Sequence, residues 1–572
     1  MSLEQMASMA LAADHAHADP AIWITRLPDE TVLARASVLE REGPRGRPLW
    51  GVPFAVKDNI DVAGLPTTAA CPGFAYVPDT DAPAVRHLLE AGALLLGKTN
   101  LDQFATGLVG TRSPYGVPRN VFDPRRVPGG SSSGSACAVA AGIVSFALGT
   151  DTAGSGRVPA AFGNIVGLKP TIGSVSARGT VPACRSLDTI SVFDRSVDEA
   201  LSVQRVIAGF DNRDPYARQA PFEHLRRGAS LPVARIAMGD VADQCEPAVA
   251  AAFQQAGVFL NAEPINLAIF LEVARLLYEG PWLAERSAAL RSLLTDRPDI
   301  LYPATRDILK LGLHRLTVDA FDAFHLLRQA RRQADLLFRQ YDALLLPTTP
   351  CCPSLTDIEA DPLGPNRRLG AFTNFANLCD MAGFAVPIGF APDGLPVGGV
   401  LLGPAWSEGR LAPLADALHR RFAATVGATG QALPSPAEPD ALTAGETALF
   451  CVGGHMSGLP LNHQIITLGG RLLCEAATQA EYRLYALGDR PGLLRASPGA
   501  AIGGEVWALP TAAIGILLRQ VPPPLCFGTV ALDTGPCLGF LAEPAGLADA
   551  PDITRFGGWR GWLTSASRTK NG

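Results

Sequence analysis

Lysine is scarce in this chain. Of 48 basic residues in 572, only Lys57, Lys98, Lys169, Lys310 and Lys570 are lysines. Charged residues make up 18%, under the roughly 25% of an average globular protein, and the net charge of −6 excludes a broad basic footprint for nucleic acid. The 11 cysteines include no CxxC pair and no Cys/His cluster at zinc spacing, and an odd count builds no disulfide framework. No basic residue precedes Arg26, so the start lacks the n-region of a signal peptide. The two longest uncharged runs, Val127–Thr150 and Thr447–Gly470, are broken by Pro and Gly, and the apolar part of the first, Ala136 to Leu148, falls well short of the about 20 residues a membrane helix needs. These absences point to a cytoplasmic, folded protein with no metal, no cofactor, no nucleic acid and no membrane among its partners.

What is present is an α/β texture. Val52–Val56, Ala93–Leu96 and Asp342–Pro347 read as short buried strands, and Pro83–Ala91 as a helix between the first two. Ala136–Leu148 is small and apolar and follows a glycine loop, which predicts one tightly packed helix. Alternating strands and helices run to about residue 425, as in a layered α/β domain. Pro434, Pro436 and Pro439 then mark a linker. The organisation is a domain over 1–430, a linker at 431–445 and a second domain over 446–572. In the second, Leu449–Val452, Tyr482–Leu487, Glu505–Leu509 and Val530–Leu532 read as strands and Thr511–Gln520 as a helix, so it is a small α+β or barrel-like module.

The segment VPGGSSSGSACAVAAG followed by ALGTDTAGSGRVPAAF carries the chemistry. It lacks the lysine and spacing of a phosphate loop and the GxSxG of a nucleophile elbow. Close helix packing accounts for Gly129 and Gly142 but not for four hydroxyls in one loop and an isolated Ser155 in the next. A serine nucleophile needs a base, and no histidine lies between His87 and His224. Lys57 follows an apolar strand in GVPFAVKDNI, where loss of hydration lowers an amine's pKa. A lysine can lose its proton when buried, and an arginine in practice cannot. Chance retention is the simpler account of Lys98 and Lys310.

These residues match a known family. GVPFAVKDNIDVAGLPTTAAC, GKTNLDQFA, PGGSSSGSACAVAAG, LGTDTAGSGRVPAAFGNIVGLKPT and LLLPTTP stand in the order of the amidase signature family, which the chain resembles from about residue 50 to 410. The resemblance implies a mixed sheet covered by helices and a Ser–cis-Ser–Lys triad. Ser155 is then the nucleophile, Ser131 follows a cis peptide and relays the proton, and Lys57 is the base. The N–H groups of Thr152, Ala153, Gly154 and Ser155 would form the oxyanion hole. The loop reads GGSSSGS and TAGS where the family usually has GGSSGGS and often TGGS, changes that backbone donors tolerate and that narrow the pocket.

YEGPWLAER is similar to a signature of allophanate hydrolases, in which the residues matching Tyr278 and Arg286 bind the substrate carboxylate. Read alone, the pair is a packed tyrosine and a surface arginine. VGGHMSGLPLN, EYRLYAL, PGLLR and GGEVWALP resemble the C-terminal domain of the same family, related in fold to γ-glutamyl cyclotransferases. The resemblance implies a homodimer that cleaves allophanate to ammonia and N-carboxycarbamate, with the second domain assisting decarboxylation and His455 as its motif histidine. His455 reads equally as an acid or as a satisfied turn residue, and Glu505 as a residue of the fold. Competing readings are an amidase of another small amide, a glutaminase-type subunit feeding ammonia to a partner, a non-catalytic scaffold, and a second domain that only dimerises.

Overall fold

The structure, a computed structural model, describes residues 1–570. The chain forms two compact units: residues 1–220 with 236–436, and residues 221–235 with 437 onward. Residues 433–443, which straddle the boundary at 436/437, have no regular secondary structure. The short excursion at 221–235 carries no composition signal that marks it as part of the second unit.

The first unit is built on one mixed sheet of 11 strands. In chain order these are β1 (Trp23–Arg26), β2 (Pro53–Lys57), β3 (Leu94–Thr99), β4 (Phe146–Asp151), β5 (Val166–Lys169), β6 (Thr189–Asp194), β7 (Ile236–Gly239), β8 (Glu263–Ile265), β9 (Ala343–Pro347), β10 (Met381–Phe390) and β11 (Pro396–Pro404). Their order across the sheet is β1-β3-β2-β4-β6-β5-β10-β11-β9-β7-β8. Every residue of β2, β3, β4, β5, β6 and β9 is buried, so both faces are covered. β2 runs parallel to both β3 and β4, while β6 runs antiparallel to β4 with Asp151 opposite Thr189. The carboxyl ends of β2, β3 and β4 and the start of β6 therefore share one edge, where ligands bind in open α/β sheets.

The small apolar segment is not one helix. A helix covers Ser133–Ala140, Gly142 turns the chain with φ +74°, and Phe146 onward is strand β4. Small residues are needed because the helix lies against backbone: a Cβ on Gly134 would stand 2.3 Å from the Ile22 carbonyl oxygen. Ser132 and Ser135 donate to the carbonyls of Thr150 and Leu148 at 3.2 and 2.9 Å, tying the helix to β4.

The second unit is an open α+β sheet rather than a barrel. Its strands are β12 (Glu446–Cys451), β13 (Arg471–Ala477), β14 (Tyr482–Leu487), β15 (Arg490–Arg495), β16 (Gly503–Pro510), β17 (Leu525–Leu532) and β18 (Gly535–Ala542). Five of them order as β13-β16-β12-β18-β17, and β14 with β15 form a separate hairpin. Trp507, Leu449, Phe450 and Leu517 are central in its core. Ala229 and Leu231, from the excursion, pack against that core, and the Ala229 N–H donates to the Leu472 carbonyl at 2.8 Å.

Candidate active site

Lys57 is the last residue of β2 and has no exposed surface. Its Nζ donates to Ser131 Oγ at 2.8 Å and to Thr150 Oγ1 at 2.7 Å. Burial pulls its pKa down to about 7, with the negative charges of Asp102, Asp188 and Asp151 opposing and Arg286 assisting. The amine is thus neutral for a large fraction of the time near pH 7.

Ser131 is fixed from the backbone. The Gly130–Ser131 peptide is cis, the Asp102 N–H donates to the Ser131 carbonyl at 3.0 Å, and the Gly130 N–H donates to the Leu108 carbonyl at 2.8 Å. The Asp102 carboxylate in turn accepts from the N–H groups of Gly110 and Arg112, both at 2.9 Å. A Cβ on Gly130 would stand 2.1 Å from Asp102 Oδ2, so glycine is required there. The motifs GKTNLDQFA and PGGSSSGS are thus two sides of one contact. Ser133, at the position where the family usually has glycine, is fully buried with its Cβ toward Gly110.

Ser155 lies in the turn beyond β4, at the edge that also holds Lys57, and is 3% exposed. Asp151 organises this turn. Its carboxylate accepts from the N–H of Gly154 at 2.9 Å and of Gly156 at 3.0 Å, and pairs with buried Arg157 at 2.8 Å. Burial works against ionisation of Asp151, but Arg157 prevails and holds the carboxyl below its usual range. Arg157 also donates to the Thr373 carbonyl and to Asn377 Oδ1, at 3.1 and 3.0 Å. The Gly154 N–H, expected in the oxyanion hole, is therefore already engaged by Asp151. Thr152, Ala153 and Ser155 supply the remaining N–H groups of the turn.

Arg286 and Tyr278 lie on consecutive helices, Ala268–Glu279 and Trp282–Ala289. Arg286 is 1% exposed, not the surface arginine its sequence context alone suggests. Its guanidinium sits 5.1 Å from the Tyr278 ring, and its Nη1 reaches the Ala105 carbonyl and Thr106 Oγ1, each at 3.3 Å. Phe104 and Ala105 both have φ of +51°, a rare conformation for residues with a Cβ. Arg286 Nε, Arg286 Nη2 and the Tyr278 hydroxyl are buried without a hydrogen-bond partner. Three unpaired donors around one buried cation are a costly arrangement in isolation and a fitting one for a carboxylate.

In the second unit, His455 Nε2 meets Gln464 Oε1 at 3.0 Å and its ring stacks on Phe540 at 4.9 Å. Burial lowers its pKa below the usual value, with the Gln464 hydrogen bond opposing, so the imidazole is neutral at pH 7. Buried Glu505 is fully engaged, accepting from the Ser457 N–H and hydroxyl, Trp507 Nε1 and Arg560.

Sequence reasoning alone misses Thr150 and Asp102, which lie inside the motifs but point to no chemistry by themselves, and Asp188 and Asn377, which lie outside every motif. It also assigns Lys98 to chance. Lys98 is fully buried and pairs with Asp58 at 3.1 Å. Among the described residues no group of three or more His, Cys, Asp or Glu could hold a metal ion, and no helix is long and apolar enough to cross a membrane.

The amidase family model matches residues 9–412, and the allophanate hydrolase C-terminal domain model matches residues 447–564. The chain is 40% identical over 569 residues to a urea amidolyase of Saccharomyces cerevisiae, covering 95% of this chain and 31% of that protein. A urea amidolyase of Lachancea kluyveri is 38% identical over 98% of this chain and 32% of its own length. The chain thus spans about a third of these two relatives. A glutamyl-tRNA(Gln) amidotransferase subunit of Nitratidesulfovibrio vulgaris is 34% identical over 68% of this chain and 88% of its own length. Among solved structures, an allophanate hydrolase of Kluyveromyces lactis superposes with a TM-score of 0.76 at 37% identity, covering 99% of this chain and 97% of that one. With its first unit built on the amidase sheet and its motifs in place at one edge of it, the chain belongs to the amidase family of hydrolases acting on carbon–nitrogen bonds.

Proposed function

We propose that the protein hydrolyses allophanate to ammonia and N-carboxycarbamate through Ser155, Ser131 and Lys57. The observation that carries the substrate is the cluster of unpaired donors on Arg286 and Tyr278. A substrate carboxylate there satisfies all three donors and holds the terminal amide toward Ser155.

Neutral Lys57 takes the Ser131 proton as Ser131 takes that of Ser155, whose Oγ attacks the terminal amide carbon. The oxyanion meets the N–H groups of Thr152, Ala153 and Ser155, with Gly154 shared with Asp151. Collapse expels ammonia, its extra proton returned from Lys57 through Ser131. Water then cleaves the acyl-enzyme by the same relay, freeing Ser155 and N-carboxycarbamate. Neutral His455, with Nε2–H donating to Gln464, presents an acceptor rather than an acid. Its part in the following decarboxylation is therefore orientation or proton acceptance, a role carried by the resemblance. The reading extends to a cytoplasmic homodimer, and eleven free cysteines fit a reducing compartment.

The test is ammonia release from allophanate beside malonamate, acetamide and glutamine, with Ser155→Ala as the blank. Strong preference for allophanate, lost in the variant, is expected. Turnover of glutamine or acetamide without allophanate would move the assignment to the general amidase reading or to the glutaminase-type one, which likeness to the amidotransferase protein favours.

A further inference from the structure

Asp188 stands immediately before β6, across from Asp151 and Thr152. It is buried, and its carboxylate is held by hydrogen-bond donors rather than by a contacting cation. The Thr152 hydroxyl donates to Oδ1, the Ala183 N–H to Oδ2 at 2.9 Å, and the Cys184 N–H to both oxygens at 3.1 Å. Burial pushes its pKa up to about 6, against those donors and the Arg286 charge, so it is mostly ionised near neutrality.

The turn that Asp188 closes reaches the Arg286 helix at two points. Cys184 Sγ donates to the Trp282 carbonyl at 3.6 Å, and Ser186 donates from its N–H and hydroxyl to Glu285 at 2.8 and 2.7 Å. Leu187 in the same turn shares Asn377 with Asp151: Asn377 Nδ2 donates to the carbonyls of both, at 3.1 and 2.9 Å. Residues 183–188 therefore form a strap from the nucleophile turn to the helix that carries the partly unpaired Arg286 guanidinium. The strap takes no part in the proton relay, so the reaction alone does not account for it.

We propose that Asp188 is a positioning residue that couples recognition of the substrate carboxylate to the acylation machinery. It orients Thr152, and hence an oxyanion N–H, while its grip on the 183–184 turn sets the Arg286 helix. The inference rests on Thr152 serving the oxyanion and Arg286 the substrate carboxylate. A loosened strap degrades two things separately: charge stabilisation in the transition state for every amide, and ground-state affinity for carboxylated amides alone.

The experiment measures kcat and KM separately for allophanate and acetamide in the full chain and in Thr152→Val, Thr152→Ser, Asp188→Asn and Ser186→Ala. Thr152→Val should lower kcat toward both substrates about tenfold, less than loss of an oxyanion donor itself, and Thr152→Ser should restore it. Asp188→Asn should lower both kcat values and also raise KM for allophanate about tenfold, with KM for acetamide unmoved. Ser186→Ala, a milder cut of the strap, should raise KM for allophanate severalfold and serves if Asp188→Asn does not fold. Wild-type kinetics in Thr152→Val, no rescue by serine, or an unmoved allophanate KM in both Asp188→Asn and Ser186→Ala overturns the coupling. A wild-type protein that turns over acetamide but not allophanate overturns the substrate reading instead, and the acetamide kcat series then still decides the Thr152–Asp188 link.

Discussion

Lys57 spends its hydrogen bonds on two hydroxyls, Thr150 Oγ1 at 2.7 Å and Ser131 Oγ at 2.8 Å, and on no carboxylate. A carboxylate in contact would keep the ammonium charged and useless as a base. Neutral partners in a buried site leave desolvation in control, and the pKa falls to about 7. An amine with that pKa is able to accept a proton near pH 7, as an imidazole is.

The acylation rate should accordingly rise with pH through a midpoint near the Lys57 value, because the deprotonated amine is the active form. Thr150→Val removes an acceptor that stabilises the ammonium, so it should move this limb to lower pH. Single-turnover acylation across pH measures both, and a limb that moves upward would show Thr150 donating to the amine instead.

Replacing Arg286 separates the carboxylate site from the chemistry. Arg286→Gln removes a buried charge-assisted contact of about 2–4 kcal/mol, which should raise KM for allophanate by roughly 30-fold to 900-fold. Tyr278→Phe removes a single hydrogen bond and should cost about 1–2 kcal/mol. Steady-state kinetics with acetamide as control checks the pair: equal losses on acetamide would place Arg286 in the frame of the fold.

Gly154→Ala should inactivate without unfolding. The residue has φ +131°, and an added Cβ would lie 2.4 Å from Thr373 Oγ1, which holds the Ala153 carbonyl at 2.6 Å. The turn must shift, taking oxyanion donors out of line at a cost of about 10²–10³ in kcat. Activity together with the melting temperature tests this, and an active alanine variant would mean the turn is softer than its hydrogen bonds imply.

Lys98→Met leaves Asp58 buried opposite no cation and should destabilise the fold by about 3–5 kcal/mol. Lys98→Met with Asp58→Leu should recover much of that loss, since both charges are then absent. Denaturant unfolding of the two variants measures it; equal stability of Lys98→Met and the wild type would make the ion pair energetically silent.

Much of the site is legible in the sequence because its glycines, serines and Lys57 sit in long contiguous motifs whose spacing survives translation into three dimensions. The limits of secondary structure are less so. Ala136–Leu148 is uniformly small and apolar, a pattern shared by a buried helix and a buried strand, and only Gly142 marks where one becomes the other. β10 and β11 are almost wholly buried and rich in glycine, so neither shows the alternation that marks a strand with one wet face. Lys98 is hidden for another reason: Asp58, its partner, stands 40 positions away in a different motif. The unpaired donors of Arg286 exist only once Ala105, Thr106 and Tyr278 are folded around it.

The excursion at 221–235 has a consequence in time. A ribosome adding about 5–20 residues per second places Ala229 and Leu231 outside the exit tunnel well before it has made the sheet they belong to, which begins about 200 residues later. For about 10–40 seconds the nascent chain carries a segment whose docking partner does not yet exist. The second unit therefore closes around a piece of chain that has been waiting since before the first was complete.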